Sequence, residues 1–135
     1  RKAPVALGDA TTADFDQLFK EVNLGPVFDY LQVDCEPAQV TYDAMLKIDL
    51  DKYKFATITF EHDKYNDGAE VQNKSREYLQ ERGYVLIADD ISVDDKHPFE
   101  DWWAHPDLVP AHCINNMKCV TGETKSAQDY MLGKI

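Results

Sequence analysis

Two apolar runs, each ending abruptly in acidic residues and separated by a helix-like segment, constrain this chain more than anything else in it. The first reads Val27-Phe28-Asp29-Tyr30-Leu31-Gln32-Val33 and stops at Asp34-Cys35-Glu36-Pro37. The second reads Phe55-Ala56-Thr57-Ile58-Thr59-Phe60 and stops at Glu61-His62-Asp63. Short β-branched and aromatic runs bounded by polar clusters read as strands. Between them, Val40 to Leu50 places Tyr42, Met45 and Leu46 on one helical face, and Pro37 stands where a first helical turn needs no amide donor. The pattern predicts a β-α-β unit with charged groups at both strand C-termini. Ligands of open α/β sheets sit in the crevice beyond those ends. Asp34, Glu36, Glu61, His62 and Asp63 are therefore the first candidates for chemistry.

The rest of the chain extends this unit. Arg1 to Gly8 reads as a connector or the end of a strand. Asp9, Thr11 and Thr12 offer cap oxygens for a helix whose apolar face is Phe15, Leu18, Phe19 and Val22, stopped by Asn23-Leu24-Gly25-Pro26. After a loop at Lys64 to Gly68, a helix is predicted over Ala69 to Arg82 with Val71, Tyr78 and Leu79 inward. A third strand follows from Tyr84 to Ala88, continuing through Ile91 and Val93, with Asp89-Asp90 and Asp94-Asp95 read as turn formers and solvated charge. Pro98 to Ala104 is expected to pair back antiparallel. Residues 110–135 read as an irregular tail with one short helix from Glu123 to Leu132, its contact face being Ala127, Tyr130 and Met131. Helices between strands imply parallel pairing. The predicted fold is α/β, one domain over 1–135, with a mostly parallel sheet, one late antiparallel strand and helices on its faces.

Composition excludes several classes of function. With 14 basic against 25 acidic residues and a net charge of −11, the chain offers no basic face for nucleic-acid phosphates or anionic lipid. No apolar run approaches a membrane span. Cys35, Cys113 and Cys119 are odd in number and lack metal or redox spacing, which reads as reduced thiols in a cytoplasm. The opening Arg1-Lys2 reads as a piece of something longer.

Each motif carries a sharp and a plain reading. The acidic strand ends could form a ligand-facing site, an acid-base pair or a carboxylate and imidazole site for a divalent metal, or could simply be solvated. His62 is a candidate base or a hydrogen-bonded structural histidine. Trp102 and Trp103 point to opposite faces of a strand, so one is core and the other can cover a groove or stack on a ligand. Cys35 has no base aimed at it and reads as an inert thiol.

Taken in order, these residues resemble the second half of the FkbM-type methyltransferase domain. That domain has a strand ending in an Asp-x-Glu motif, here Asp29 to Glu36. A helix follows, then a strand ending in Glu-His (Phe55 to His62), then a helix closing in Gly-Tyr (Ser75-Arg76-Glu77-Tyr78-Leu79 through Gly83-Tyr84). The run Phe99-Glu100-Asp101-Trp102-Trp103 resembles the end of the domain. The match covers about residues 11–109. Pro37 stands where Gly is usual and Gln39 where a second Glu is usual, so no role is carried onto Gln39.

The resemblance implies half of a Rossmann-like class I fold that uses S-adenosylmethionine, usually to methylate a hydroxyl of a small molecule or sugar. On it, His62, Glu61 and Asp34 are the catalytic candidates, with His62 deprotonating the acceptor. Asp34, Glu36, Asp63, Trp102 and Trp103 are the substrate- or cofactor-binding candidates, and no metal is expected. Glycine occurs only at 8, 25, 68, 83, 122 and 133, never as Gly-x-Gly, so the cofactor-gripping first half is absent. The chain alone is accordingly expected to be inactive and to bind S-adenosylmethionine weakly or not at all. The alternative is a non-enzymatic half-Rossmann interaction module. In it, the open edge of strand 27–33 is covered by Arg1 to Gly8, by the C-terminal tail, or by a second copy in a homodimer. A metal-dependent hydrolase on Asp34, Glu36, Glu61 and His62 is the third reading.

Overall fold

The computed structural model describes residues 8–135, so the expectations for Arg1 to Leu7 lie outside the described residues. A 3-10 turn at Ala10–Thr12 is capped by Asp9, and α1 (Phe15–Glu21) by Asp14, which accepts from the Gln17 amide. Phe15 and Phe19 pack on the core, while Leu18 and Val22, expected on the same face, are exposed. The turn into the first strand requires glycine. Gly25 has φ +82°, and a Cβ there would lie 2.8 Å from the Phe28 ring.

The β-α-β unit forms as β1 (Val27–Val33), α2 (Ala38–Leu46) and β2 (Lys54–Glu61), with β1 and β2 parallel. The buried row of α2 is Ala38, Thr41 and Met45, which leaves Leu46 exposed rather than inward. The helix ends at Leu46 rather than Leu50, and Ile48 and Leu50 are buried from the loop beyond it. Where a loop was expected after β2, Lys64–Asp67 forms a short α3. It is followed by α4 (Glu70–Glu81), β3 (Val85–Ser92) and β4 (Glu100–Ala104). The tail is more regular than its prolines suggest: α5 (Ala111–Met117), a two-residue β5 (Lys125–Ser126) and α6 (Ala127–Met131).

The strands form one open mixed sheet in the order β1-β2-β4-β3-β5. β4 is antiparallel to both neighbours, so the expected hairpin partner of β3 also pairs with β2; the other strands are mutually parallel. Because β1, β2 and β3 step across the sheet in one direction, right-handed crossovers bring their helices to one face. Ala38 and Met45 of α2 and Val71 and Leu79 of α4 accordingly share a core with Phe55, Ile58, Phe60, Leu86 and Trp103. On the other face Ile114 of α5 packs with Ile87 and Ala104 in a smaller cluster that Val85 and Val109 border, and Tyr130 of α6 packs edge-on against Trp102 at 5.3 Å.

Two expectations are corrected here. Asp89 and Asp90 are not solvated turn formers: they lie within β3 and are 1% and 2% exposed. Register shifts on either side of Ala88, with Asp90 at φ +51°, re-aim the two carboxylates in different directions. Asp89 accepts from the Thr121 and Gly122 amides (3.0 and 2.7 Å) and from the buried Lys125 ammonium, fastening the tail to β3. The tail therefore adds its strand to β3, at the sheet edge opposite β1.

Candidate functional site

Parallel register brings the acidic strand ends together. Val33 pairs with Phe60, so Asp34 continues beside Glu61. Across the sheet Glu61 is opposite Glu100 of β4, an unfavourable juxtaposition of like charges. The loop holding Asp34 is fixed by Thr41, whose hydroxyl donates to the Cys35 carbonyl (2.6 Å) and accepts from its amide (3.0 Å). Asp63 follows Glu61 at the entrance of α3 in left-handed backbone, φ +47°.

Burial, together with hydrogen bonding to Asp34 and Asp63, pushes the Glu61 carboxyl up to about 9. Glu100 is also raised, by burial, with the charge of Asp34 adding to the effect and an N–H from Trp102 opposing it. At neutral pH Glu61 therefore keeps its proton between two carboxylates. A carboxyl poised in this way can exchange a proton with a bound molecule or give it up to a cation. Beside it lies a cleft of about 430 Å³ lined by Glu61, Asp63, Tyr65, Val93, His97 and Phe99. A second hollow on the other side of Asp63 brings in Glu36 and Pro37.

His62 belongs elsewhere. It is fully buried, its Nδ1 accepts the Lys64 amide N–H (3.1 Å), and its Nε2 lies 3.3 Å from Asp101 Oδ1. The amide at Nδ1 sets the tautomer, leaving the proton on Nε2. Asp101 also accepts two bonds from Arg76, Nε to Oδ2 at 2.7 Å and Nη2 to Oδ1 at 2.9 Å, and one from the Asp90 amide at 3.0 Å. Burial alone would raise the Asp101 carboxyl, but the His62 and Arg76 hydrogen bonds hold it down at about 2. Asp90 accepts from Gln72 (2.7 Å) and Lys64 (3.2 Å).

His62, Asp90 and Asp101 offer atoms within 4.8 Å of one another, close enough for a metal. Yet one nitrogen of His62 carries hydrogen and the other accepts one, while both carboxylates are occupied by cationic or amide donors. The chemistry of this set is that of a hydrogen-bonded tie between β2, α4, β3 and β4, not of a metal centre. The expected meeting of His62 with Asp34, Glu36 and Glu61 does not occur.

The tryptophans also stand apart from the cleft. Trp103 is buried in the main core and Trp102 lies on the opposite face. There Trp102 lines a hollow of about 210 Å³ with Tyr30, Thr59 and Tyr130. Sequence reasoning missed Gln72, Arg76, Asp90 and Asp101. The available signal was that apolar residues resume at Ile91 after Asp89-Asp90, so the strand runs on through them and buries both. Cys35, Cys113 and Cys119 are free thiols, and among the described residues no helix is long and apolar enough to cross a membrane. No family model, curated protein or solved structure matches this chain.

Proposed function

We propose that this chain supplies the second half of a Rossmann-like class I methyltransferase sheet of FkbM type, and that it does not transfer a methyl group by itself. The observation that carries this reading is an edge strand built like an interior one. Phe28 of β1 stacks on Phe55 at 4.9 Å, and Phe28 and Leu31 face the core, yet both are only half-buried. Beyond them the sheet opens into an apolar groove of about 430 Å³ lined by Phe15, Phe19, Phe28, Leu31 and Ile48. Val27 to Val33 contains no Lys, Arg or Pro, and Asp29 is its one charge against the edge pairing that such residues normally block. Winding in one direction, with helices gathered on one face, is what half of a doubly wound sheet looks like on the side of its switch point.

On this reading S-adenosylmethionine lies across the missing half, and Asp34 and Glu36 form the near wall of the transfer crevice. Glu61, with its proton in place at neutral pH, faces the acceptor hydroxyl of a small molecule or sugar as a hydrogen-bond partner, and the buried His62 takes no part. Methyl transfer depends mostly on holding two reactants in line, so the half-sheet is inactive. The reading places the protein in the cytoplasm. Sequencing the DNA upstream of Arg1 tests it: an in-frame Gly-rich strand-loop-helix is expected, and a stop codon there would overturn it. Calorimetry of this chain with S-adenosylmethionine should show no micromolar binding.

The same edge favours a second reading, a two-fold homodimer joined through β1 with no enzymatic role. Light scattering decides this: a dimer that disperses when Tyr30 is replaced by Lys supports it, and a monomer at high concentration removes it.

A further inference from the structure

Trp102 is used by neither reading of the protein. On its face of the sheet, away from the main core, Tyr30 of β1, Trp102 of β4 and Tyr130 of α6 surround a hollow of about 210 Å³ floored by Thr57 and Thr59 of β2. The strand register explains this gathering. Tyr30 pairs with Thr57, and Thr59 pairs with Trp102. The Tyr30 hydroxyl, 2.6 Å from Thr59 Oγ1, therefore reaches the residue beside the indole. The Trp102 and Tyr130 rings meet at 79° with centroids 5.3 Å apart, two walls of a corner. The tie between Lys125 and Asp89 brings α6 there, because it fixes β5 and with it Ser126, the N-cap of α6.

The walls describe a ligand. They are aromatic, and ring faces attract cations, tryptophan most strongly. Among the described residues that line the hollow there is no Lys or Arg, the Trp102 indole N–H donates to the Glu100 carboxyl, and the chain as a whole carries −11. A cation therefore meets no competing charge. The polar groups of the walls are already engaged: Tyr30 with Thr59, the Thr57 hydroxyl with the Asp29 carbonyl at 3.0 Å, and the Tyr130 hydroxyl with the Met117 carbonyl. A primary ammonium would give up water there without gaining acceptors, a loss that a quaternary ammonium, having no N–H, does not incur. The volume lies below the range that holds a drug-sized molecule, so it suits a small head group rather than a helix of a partner protein. We propose that this hollow is an aromatic cage for a quaternary ammonium head group, with Tyr30, Trp102 and Tyr130 as its walls. The site goes beyond the methyltransferase reading and does not depend on it.

Tetramethylammonium, with tert-butanol as a neutral molecule of similar shape and ammonium as the unmethylated cation, provides the test. Binding is followed on the whole chain by NMR of the Trp102 indole N–H, with the buried Trp103 as internal control. Tetramethylammonium should shift the Trp102 signal with millimolar affinity, and tert-butanol and ammonium should each bind at least fivefold more weakly. Trp102→Leu should abolish the response of the Tyr30 and Tyr130 ring resonances. Tyr30→Leu, a change at a residue 53% exposed, should weaken tetramethylammonium at least threefold without lowering the melting temperature. If Trp102→Leu does not fold, Tyr30→Leu and the comparison of the three solutes decide alone. A Trp102 signal that does not move, equal binding of tert-butanol or of ammonium, or an unchanged affinity in Tyr30→Leu would overturn the proposal. Because Trp102 lies off the β1 edge and no S-adenosylmethionine takes part, failure here leaves both readings of the protein intact, and their failure leaves this site intact.

Discussion

Glu61 and His62 are neighbours in the chain, yet their side chains enter two acidic groups of opposite character. On the His62 side, Asp90 and Asp101 are met by Lys64, Arg76 and Gln72, so charge and hydrogen-bond capacity nearly balance. On the Glu61 side, Asp34, Asp63 and Glu100 gather around a carboxyl that burial and its acidic neighbours raise to about 9. The balanced group is internal structure. The unbalanced one lines an open cleft at the strand ends.

The largest effect should come from breaking the balanced group. Asp101→Ala leaves Arg76 and His62 without their acceptor, and removing one partner of a buried pair costs about 3–5 kcal/mol, to be read from urea denaturation midpoints. A slightly smaller effect follows from pH. Asp101 is lowered in the fold to about 2 from 3.8, so its contribution is full above the unfolded value and is lost as pH falls from about 4 towards 2. Linkage puts that loss at about 2 kcal/mol. The acid limb of the stability curve should flatten by this amount in a background that tolerates Asp101→Asn.

The unbalanced group should respond with the opposite sign. Asp63→Asn removes one of the like charges crowded around Glu61 and is expected to raise stability by less than about 1 kcal/mol, seen as a slightly higher melting temperature. The smallest effect belongs to the open edge. Tyr30 is 53% exposed, so Tyr30→Lys should change monomer stability by less than about 0.5 kcal/mol while blocking any association through β1. A loss of several kcal/mol in Asp63→Asn would erase the contrast between the groups.

The architecture was legible because it rests on periodicity and punctuation. Val27–Val33 and Phe55–Glu61 alternate with an amphipathic α4, and Gly25-Pro26 and Gly83 mark the turns between elements. The convergence of Asp34, Glu61 and Asp63 was legible for the same reason, since parallel strands in register end side by side. What escaped the reading depends on pairings distant in the chain. Arg76 binds Asp101 across 25 positions and Lys125 binds Asp89 across 36, and nothing in local spacing announces either. His62 was placed wrongly because a strand end does not reveal which of two successive residues turns inward. Asp89-Asp90 misled because two adjacent acids resemble a turn unless a bulge is known to bury both. The tail escaped because its order is imposed by Asp89 and Trp102 rather than by its own sequence.

The proton on Glu61 is the feature on which the contrast between the two groups turns, and carboxyl-detected NMR titration of the unliganded chain measures it directly. Folded Glu61 is raised to about 9 from 4.5. Its contribution to stability is therefore full below the unfolded value and is lost as pH rises through the folded one. The expected result is a Glu61 midpoint well above 7, accompanied by falling stability across that window that Glu61→Gln removes. A midpoint near 4.5, with no such slope, would mean that the strand-end carboxylates are separately solvated, and would contradict the account.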